Sequence, residues 1–389
     1  MAKRDEIRVI GWINRHEEPV VLGLVVLAAL LLRKSLIYFV GNADYNCCLK
    51  PWYDYILDNG GLAALGDDFS NYPPLYLLML VATSAIFGDS GYKPYAIKGI
   101  PILFDLVGAF FVYKIVKLKY PEGRQPVWAA AVFLFLPSIF IVSSYWGQID
   151  MLYVAGLLAC LYFVLVDKGH WALIALGWAF AIKLQAIFLL PFVALLLLRK
   201  RISWRSLLWV PAVYLLAALP AWLAGRPLNE LVLLYYEQAG LFPELTLNAP
   251  SLYAWLQGIV PDSFASIGVG LALIVIGGLV LRAARRAPEL GREQLVVLAF
   301  LSVLVTPFLL PKMHERYFLA ADAFAVSLAF YQPRYIFVPV VLSFVSVLAF
   351  VPFLFSAVLV PIASLAWFVL GVIVLLLWER KQWLGAEPS

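Results

Sequence analysis

The residues equipped for acid–base or anion chemistry fall in five short clusters: Asp44; Tyr72-Pro73-Pro74; Trp146-Gly147-Gln148-Ile149-Asp150; Lys183-Leu184-Gln185; and Lys312-Met313-His314-Glu315-Arg316. The mixture has a chemical logic. Asp44 or Asp150 can take the proton of an attacking hydroxyl, while His314, Arg316, Lys312 and Lys183 can hold a phosphate. Tyr72, Trp146, Gln148, Gln185 and Glu315 would shape the space between the two. Each cluster also has a plainer reading. Asp44 suits an ordinary loop acid, Tyr-Pro-Pro a helix start, because proline fits the first turn, and Asp150 an acid at a helix N-terminus. Lys183 can snorkel to the membrane surface. For His314-Glu315-Arg316, three polar groups in succession have little structural reason.

Metal and nucleotide signals are missing from the sequence. The three histidines, at 16, 170 and 314, cannot form a cluster; Cys47 and Cys48 are adjacent and poorly placed for a mutual disulfide; Cys160 falls inside an apolar segment. There is no Asp-x-Asp triad to grip a divalent ion on a nucleotide sugar, and no glycine-rich phosphate loop. Metal-independent handling of a phosphorylated substrate by cations is therefore expected, with no nucleic-acid partner.

The elements that position these clusters must lie in a bilayer. In 389 residues, 63% are hydrophobic and only 14% charged, against about a quarter charged in soluble domains. Disordered, disulfide-framework and soluble nucleotide-binding classes are excluded. The chain reads as one all-α transmembrane domain, 1–389, with a cytoplasmic tail 1–18. The first crossing, Pro19 to Val40, is an anchor rather than a cleaved signal. A first extracytoplasmic loop, 41–94, contains Pro73 to Gly88, too short to span and expected to lie in the interface. Eleven further crossings follow: Tyr95 to Val116, Val127 to Ser144, Ile149 to Val166, Trp171 to Ile182, Ala186 to Leu198, Leu207 to Ala224, Phe264 to Leu281, Leu295 to Leu310, Tyr317 to Tyr331, Ile336 to Phe355 and Val358 to Trp378. A second large outer loop covers 225–262.

With this assignment 20 of the 29 Lys and Arg residues fall on the cytoplasmic side, as the positive-inside rule requires. Both termini are then cytoplasmic and the polar clusters face outward, at the plasma membrane. Lys183 and the Lys312 to Arg316 run sit at the apices of segments that enter and return, where polar backbone is tolerated only beside a cavity. Arg33 and Lys34 read as snorkelling. Lys98 and Asp105, seven apart on one helical face, and Asp322 suit either structural ion pairing or the coupling role of a flippase or transporter.

The ordered set Asp44-Tyr45, Asn71-Tyr72-Pro73-Pro74-Leu75-Tyr76, Trp146 to Asp150, Lys183-Leu184-Gln185-Ala186, Leu247-Asn248-Ala249-Pro250 and Pro311 to Tyr317 resembles the GT-C superfamily of glycosyltransferases, in particular the bacterial GPI mannosyltransferase II-like group. The resemblance implies a GT-C bundle of about twelve transmembrane helices with an interfacial helix in the first outer loop. It implies inverting transfer of a hexose, mannose by the family name, from a polyprenyl-phosphate-linked donor to an extracytoplasmic glycan, lipid-linked or protein acceptor. It gives Asp44 the role of general base, with Asp150 the competing candidate, and assigns His314, Arg316 and less surely Lys312 to the donor phosphate. Asn248 joins the substrate-binding set on the same ground. The rivals are the flippase or transporter and a polymerase or ligase of lipid-linked glycans. The charge distribution predicts that tags at Asp89 or Asn248 label from outside intact cells and a tag at Arg201 only after permeabilisation; outside labelling of Arg201 would overturn the assignment.

Overall fold

The computed structural model describes residues 17–238, 241–286 and 290–379. Tail residues Lys3, Arg4, Arg8 and Arg15, and Arg380 and Lys381, which entered the charge argument, lie outside them. Sixteen α-helices follow in order: α1 (Glu17–Leu36), α2 (Lys50–Asp58), α3 (Pro74–Phe87), α4 (Lys93–Lys117), α5 (Gln125–Leu134), α6 (Pro137–Phe140), α7 (Asp150–Leu165), α8 (Gly169–Ile182), α9 (Leu190–Leu198), α10 (Trp209–Leu223), α11 (Leu228–Gln238), α12 (Ala265–Arg286), α13 (Arg292–Leu309), α14 (Leu319–Tyr331), α15 (Val338–Phe355) and α16 (Ile362–Trp378). A π-helical stretch, Ile141–Trp146, continues α6, and a 3₁₀ stretch, Leu184–Leu189, leads into α9.

The result is an all-α membrane bundle. Every one of the twelve expected apolar segments coincides with a helix or a pair of joined helical pieces. Among the described residues six spans can cross a bilayer alone by length and composition, and a seventh if the α5–α6 pair, bent by 48°, is counted as one span. The bend falls where Pro137 has no amide proton to continue α5. Helices α3, α7, α8 and α16 are apolar but shorter, and α3 is a separate helix within the 41–94 segment.

Helix α7 is the centre of the bundle, with Asp150 to Cys160 buried on all sides. It packs on α4 and α8. Close approach to α8 requires the glycine at 156, where a Cβ would meet the Ala179 Cβ at 3.0 Å and the Ala175 carbonyl at 3.1 Å. In contrast, α1, α10 and α12 leave large apolar side chains such as Leu24, Leu216 and Ile274 outside, surfaces suited to hydrocarbon rather than water.

The buried ions are partnered differently from the sequence expectation. Arg33 does not snorkel: it is fully buried and pairs with Asp105 at 2.6 Å, while also donating to the Ala29 and Leu134 carbonyls. Ser143 Oγ donates to the same Asp105 oxygen at 2.6 Å. Lys98 is therefore not the partner of Asp105; its ammonium bonds the carbonyls of Phe39, Ser144 and Tyr145. A shared helical face places two residues on one side of α4, but helices on other sides supply nearer partners. Asp322 is fully buried in α14.

Arg33→Leu leaves the Asp105 carboxylate uncompensated and is expected to cost about 3–5 kcal/mol. The Arg33→Leu/Asp105→Leu double substitution should recover most of that, read as denaturation midpoints in detergent. Equal losses for single and double variants would show that the pair itself, rather than avoidance of a lone charge, is what matters.

Candidate active site

Asp44 is held by the Trp146–Gln148 turn. Its Oδ2 accepts from Trp146 Nε1 at 2.8 Å and from Gln148 Nε2 at 2.5 Å, and Tyr72 Oη in turn donates to the Gln148 carbonyl oxygen at 3.1 Å. Both side chains reach one carboxylate because the chain reverses at Gly147, at φ +89°, where an L side chain would be strained. The amides of Gly147 and Gln148 both donate to the Val142 carbonyl at 3.0 Å. Phe353 stacks on the Trp146 ring at 4.8 Å and Phe350 meets it edge-on at 5.6 Å, so α15 locks the indole. Asn42 joins the two segments, donating to the Trp146 carbonyl and accepting from the Tyr45 amide.

The second carboxylate, Asp150, opens α7 and is fully buried. Its position satisfies the plain helix-start reading and the site reading together. Lys183, in extended backbone after α8, bonds Asp150 Oδ2 at 3.0 Å, and Arg316 Nε stands 3.5 Å from the same oxygen. Asp150 Oδ1 and Arg316 Nε are buried without a hydrogen bond. The guanidinium bonds Glu315 at 2.9 Å, approaches Asp44 to 3.9 Å and lies over the Trp146 ring at 5.3 Å. Three carboxylates thus converge on one cation, which holds its charge at low solvent access.

The 225–262 segment pins the apex that carries Arg316. A short strand, β1 (Thr246–Leu247), pairs in parallel with β2 (Met313–His314), and the Lys312 amide donates to the Leu245 carbonyl at 2.7 Å. Lys312 sits at φ +61°, a strained conformation for a non-glycine residue. The His314 ring lies between Phe242 (4.8 Å, edge-on) and Tyr317 (5.0 Å). Two further ties close the loops over the site: Arg226 to Asp68 and the Gln238 amide to the Asn71 carbonyl.

These pieces surround a cavity of about 550 Å³. Asp44, Tyr72, Gln148, Lys183, Gln185, Lys312, His314 and Arg316 all line it, and Leu184, Ile187, Phe242, Val269 and Leu310 form an apolar part of the lining. Of the other expected residues, Trp146, Asp150 and Glu315 stand behind the lining. Asn248 stays off the wall; it bridges to His314 through its backbone at φ +55°. Cys48, Trp52, Asn71 and Gln238 also line the cavity; Asn71 belongs to the Tyr72 motif, Cys48 was read only for disulfide and metal chemistry, and Trp52 and Gln238 were not singled out from the sequence. Trp52 had a signal available, an aromatic in the first loop, where it meets the Tyr72 ring at 4.9 Å. Gln238 had none, because its role depends on how two distant loops meet. Cys47 and Cys48, expected to stay apart, are joined as a disulfide within the π-helical turn Tyr45–Leu49.

Burial pushes the His314 imidazole down to about 2, helped by the charges of Arg316 and Lys183, so it is a neutral hydrogen-bonding group rather than the cation its residue type suggests. Burial raises Glu315, against the opposing pull of Arg316, and raises the Tyr72 phenol.

No protein-family model and no curated protein sequence matches the chain. Among solved structures, it is similar to ArnT from Cupriavidus metallidurans bound to undecaprenyl phosphate, with a TM-score of 0.53 and 17% identity over 92% of this chain and 77% of ArnT. The fold is of the GT-C type. In this GT-C bundle the candidate site occupies the end of the helices where the 41–94 segment, the 225–262 segment and the Lys312 to Arg316 apex meet.

A lowered histidine pKa favours the neutral form. The unfolded chain takes up a proton near pH 6.5 and the folded chain does not, so this contribution to stability is complete above about pH 6.5 and is lost as pH falls towards 2. His314→Gln should therefore unfold at nearly the wild-type temperature at pH 7.5 and lose less stability than wild type on going to pH 5. Equal acid sensitivity of the two proteins would contradict burial of a neutral imidazole.

Proposed function

We propose that this protein is an inverting glycosyltransferase that moves a hexose from a polyprenyl-phosphate donor to a hydroxyl acceptor on the outer face of the membrane. The observation that carries the reading is one cavity lined together by a carboxylate, Asp44, fixed by Trp146 and Gln148, by the cations Lys183, Lys312 and Arg316, the last 3.9 Å from that carboxylate, and by apolar side chains. The GT-C fold and the undecaprenyl phosphate held by the ArnT neighbour support it. Twelve crossings, with both termini cytoplasmic, belong to the same proposal.

In this reading the acceptor oxygen attacks the anomeric carbon, its proton passes to Asp44, and the bond from that carbon to the phosphate oxygen breaks, leaving polyprenyl phosphate. Charge grows on the phosphate as the bond lengthens, so donors aimed there stabilise the transition state more than the ground state. Arg316 Nε, buried at the cavity edge without a hydrogen bond, would gain a phosphate oxygen as acceptor. Lys183, Lys312 and neutral His314 would complete the cradle without a metal ion. The apolar wall suits the first isoprene units. Mannose is the hexose the family resemblance favours, and the acceptor is a glycan, lipid-linked or protein hydroxyl. Against the transporter reading, Lys98 and Asp105 are engaged in separate internal bonds.

The decisive comparison is Asp44→Asn against Asp150→Asn at saturating donor and acceptor. Asp44→Asn removes the basic oxygen and should lower turnover by about 10²- to 10⁴-fold with donor affinity nearly unchanged. Asp150→Asn should instead weaken donor binding, since it loosens Lys183 and Arg316. Full loss of turnover in Asp150→Asn, with Asp44→Asn keeping more than about a tenth, would move the base to Asp150.

A further inference from the structure

Lys98 is fully buried in α4, and its three hydrogen bonds all go to backbone carbonyls: Phe39 at 2.6 Å, Tyr145 at 2.7 Å and Ser144 at 3.0 Å. Phe39 stands five residues before Asp44, in the chain that enters the first loop. Ser144 and Tyr145 immediately precede the turn whose Trp146 and Gln148 side chains hold the Asp44 carboxylate. They lie in the last turn of a helical stretch, where carbonyls lack intrahelical partners and a cation is favoured. One ammonium therefore ties together both backbones that converge on Asp44.

The side chain's stem is fitted to the same turn. A Cβ at Gly147 would meet Lys98 Cγ and Cε at 3.2 Å, and the ammonium lies 5.6 Å from the centre of the Tyr45 ring, next in sequence to Asp44. The methylenes thus press on the reversal at Gly147 while the ammonium holds the Phe39 segment and the end of the π-helical stretch together. Asn42 makes a second tie between the same two segments, from its side chain to the Trp146 carbonyl.

Resting on the reading of Asp44 as the base, we propose that Lys98 is a positioning residue for catalysis, a buried strut that sets the register between the first loop and the Trp146–Gln148 turn and so aims the Asp44 carboxylate at the acceptor hydroxyl. Lys98 touches no substrate and acts only through Asp44. Misplacement of a reacting group by about 1 Å costs roughly 10²-fold in rate, which sets the expected size of the effect.

The test uses full-length protein in lipid nanodiscs, with polyprenyl-phosphate mannose as donor probe and octyl mannoside as acceptor probe. Lys98→Met should lower kcat by about 10²-fold with KM for both probes little changed, and Lys98→Arg, which keeps donors for the carbonyls, should recover part of the loss. In an Asp44→Asn background Lys98→Met should cause no further loss, because the base it aims is already gone. Hydrogen exchange supplies a readout independent of turnover: the Gly147 and Gln148 amides should exchange at least about tenfold faster in Lys98→Met. Wild-type kcat in Lys98→Met, or an equal loss in both backgrounds, overturns the proposal. If Lys98→Met does not fold, Lys98→Arg decides: a reduced kcat that vanishes as a difference in the Asp44→Asn background supports the strut, and wild-type kcat with altered exchange contradicts it. Failure of wild-type protein to transfer sugar, or Asp44→Asn at full rate, would instead remove the functional reading, and unchanged exchange would separately remove the strut.

Discussion

Three carboxylates and two cations share a small volume at the edge of an apolar bundle, and none of them is tolerable there alone. Removing a charge from water is costly enough that it survives in such a place only with a partner. Arg316 meets that requirement for Glu315, Asp150 and Asp44 together, and Lys183 adds a second hold on Asp150. The rest of the architecture follows from keeping these groups in reach of one another. Helix α8 must break at Lys183, α7 must begin at Asp150, the chain must reverse at Gly147, and the 225–262 segment must pair β1 with β2 beside Arg316.

The two aspartates are held by different kinds of partner. Asp44 is fixed by neutral donors, the Trp146 indole and the Gln148 amide, while Asp150 is fixed by the cations. His314, neutral by burial, offers hydrogen bonds without adding another charge to the cluster.

Much of this was legible because a polar residue is conspicuous in a chain that is 63% hydrophobic. Asp44, Tyr72, Gln148, Lys183, Gln185, Lys312, His314 and Arg316 stood out by type and by position near segment ends, and the folded chain brings them to one cavity. Partnerships were harder to read. Helical spacing placed Lys98 and Asp105 on one face, yet Arg33, from another helix, claimed Asp105. Arg33 near a helix end resembles a snorkelling residue until packing buries it. Asn248 belongs to a conspicuous motif, but its backbone, not its side chain, does the work of shaping the apex. Two-residue strands leave no periodicity to detect, and the Gln238 to Asn71 contact depends on the meeting of loops 167 residues apart.

The account stands on sugar transfer from a lipid monophosphate. Its most direct test is to incubate the purified protein in proteoliposomes with polyprenyl-phosphate mannose or with the matching pyrophosphate-linked donor, add octyl mannoside outside, and determine the anomeric configuration of any product by NMR. The account predicts a new glycoside of inverted configuration from the monophosphate donor alone. Movement of the donor lipid across the bilayer without a new glycosidic bond, or turnover only of the pyrophosphate donor, would contradict it.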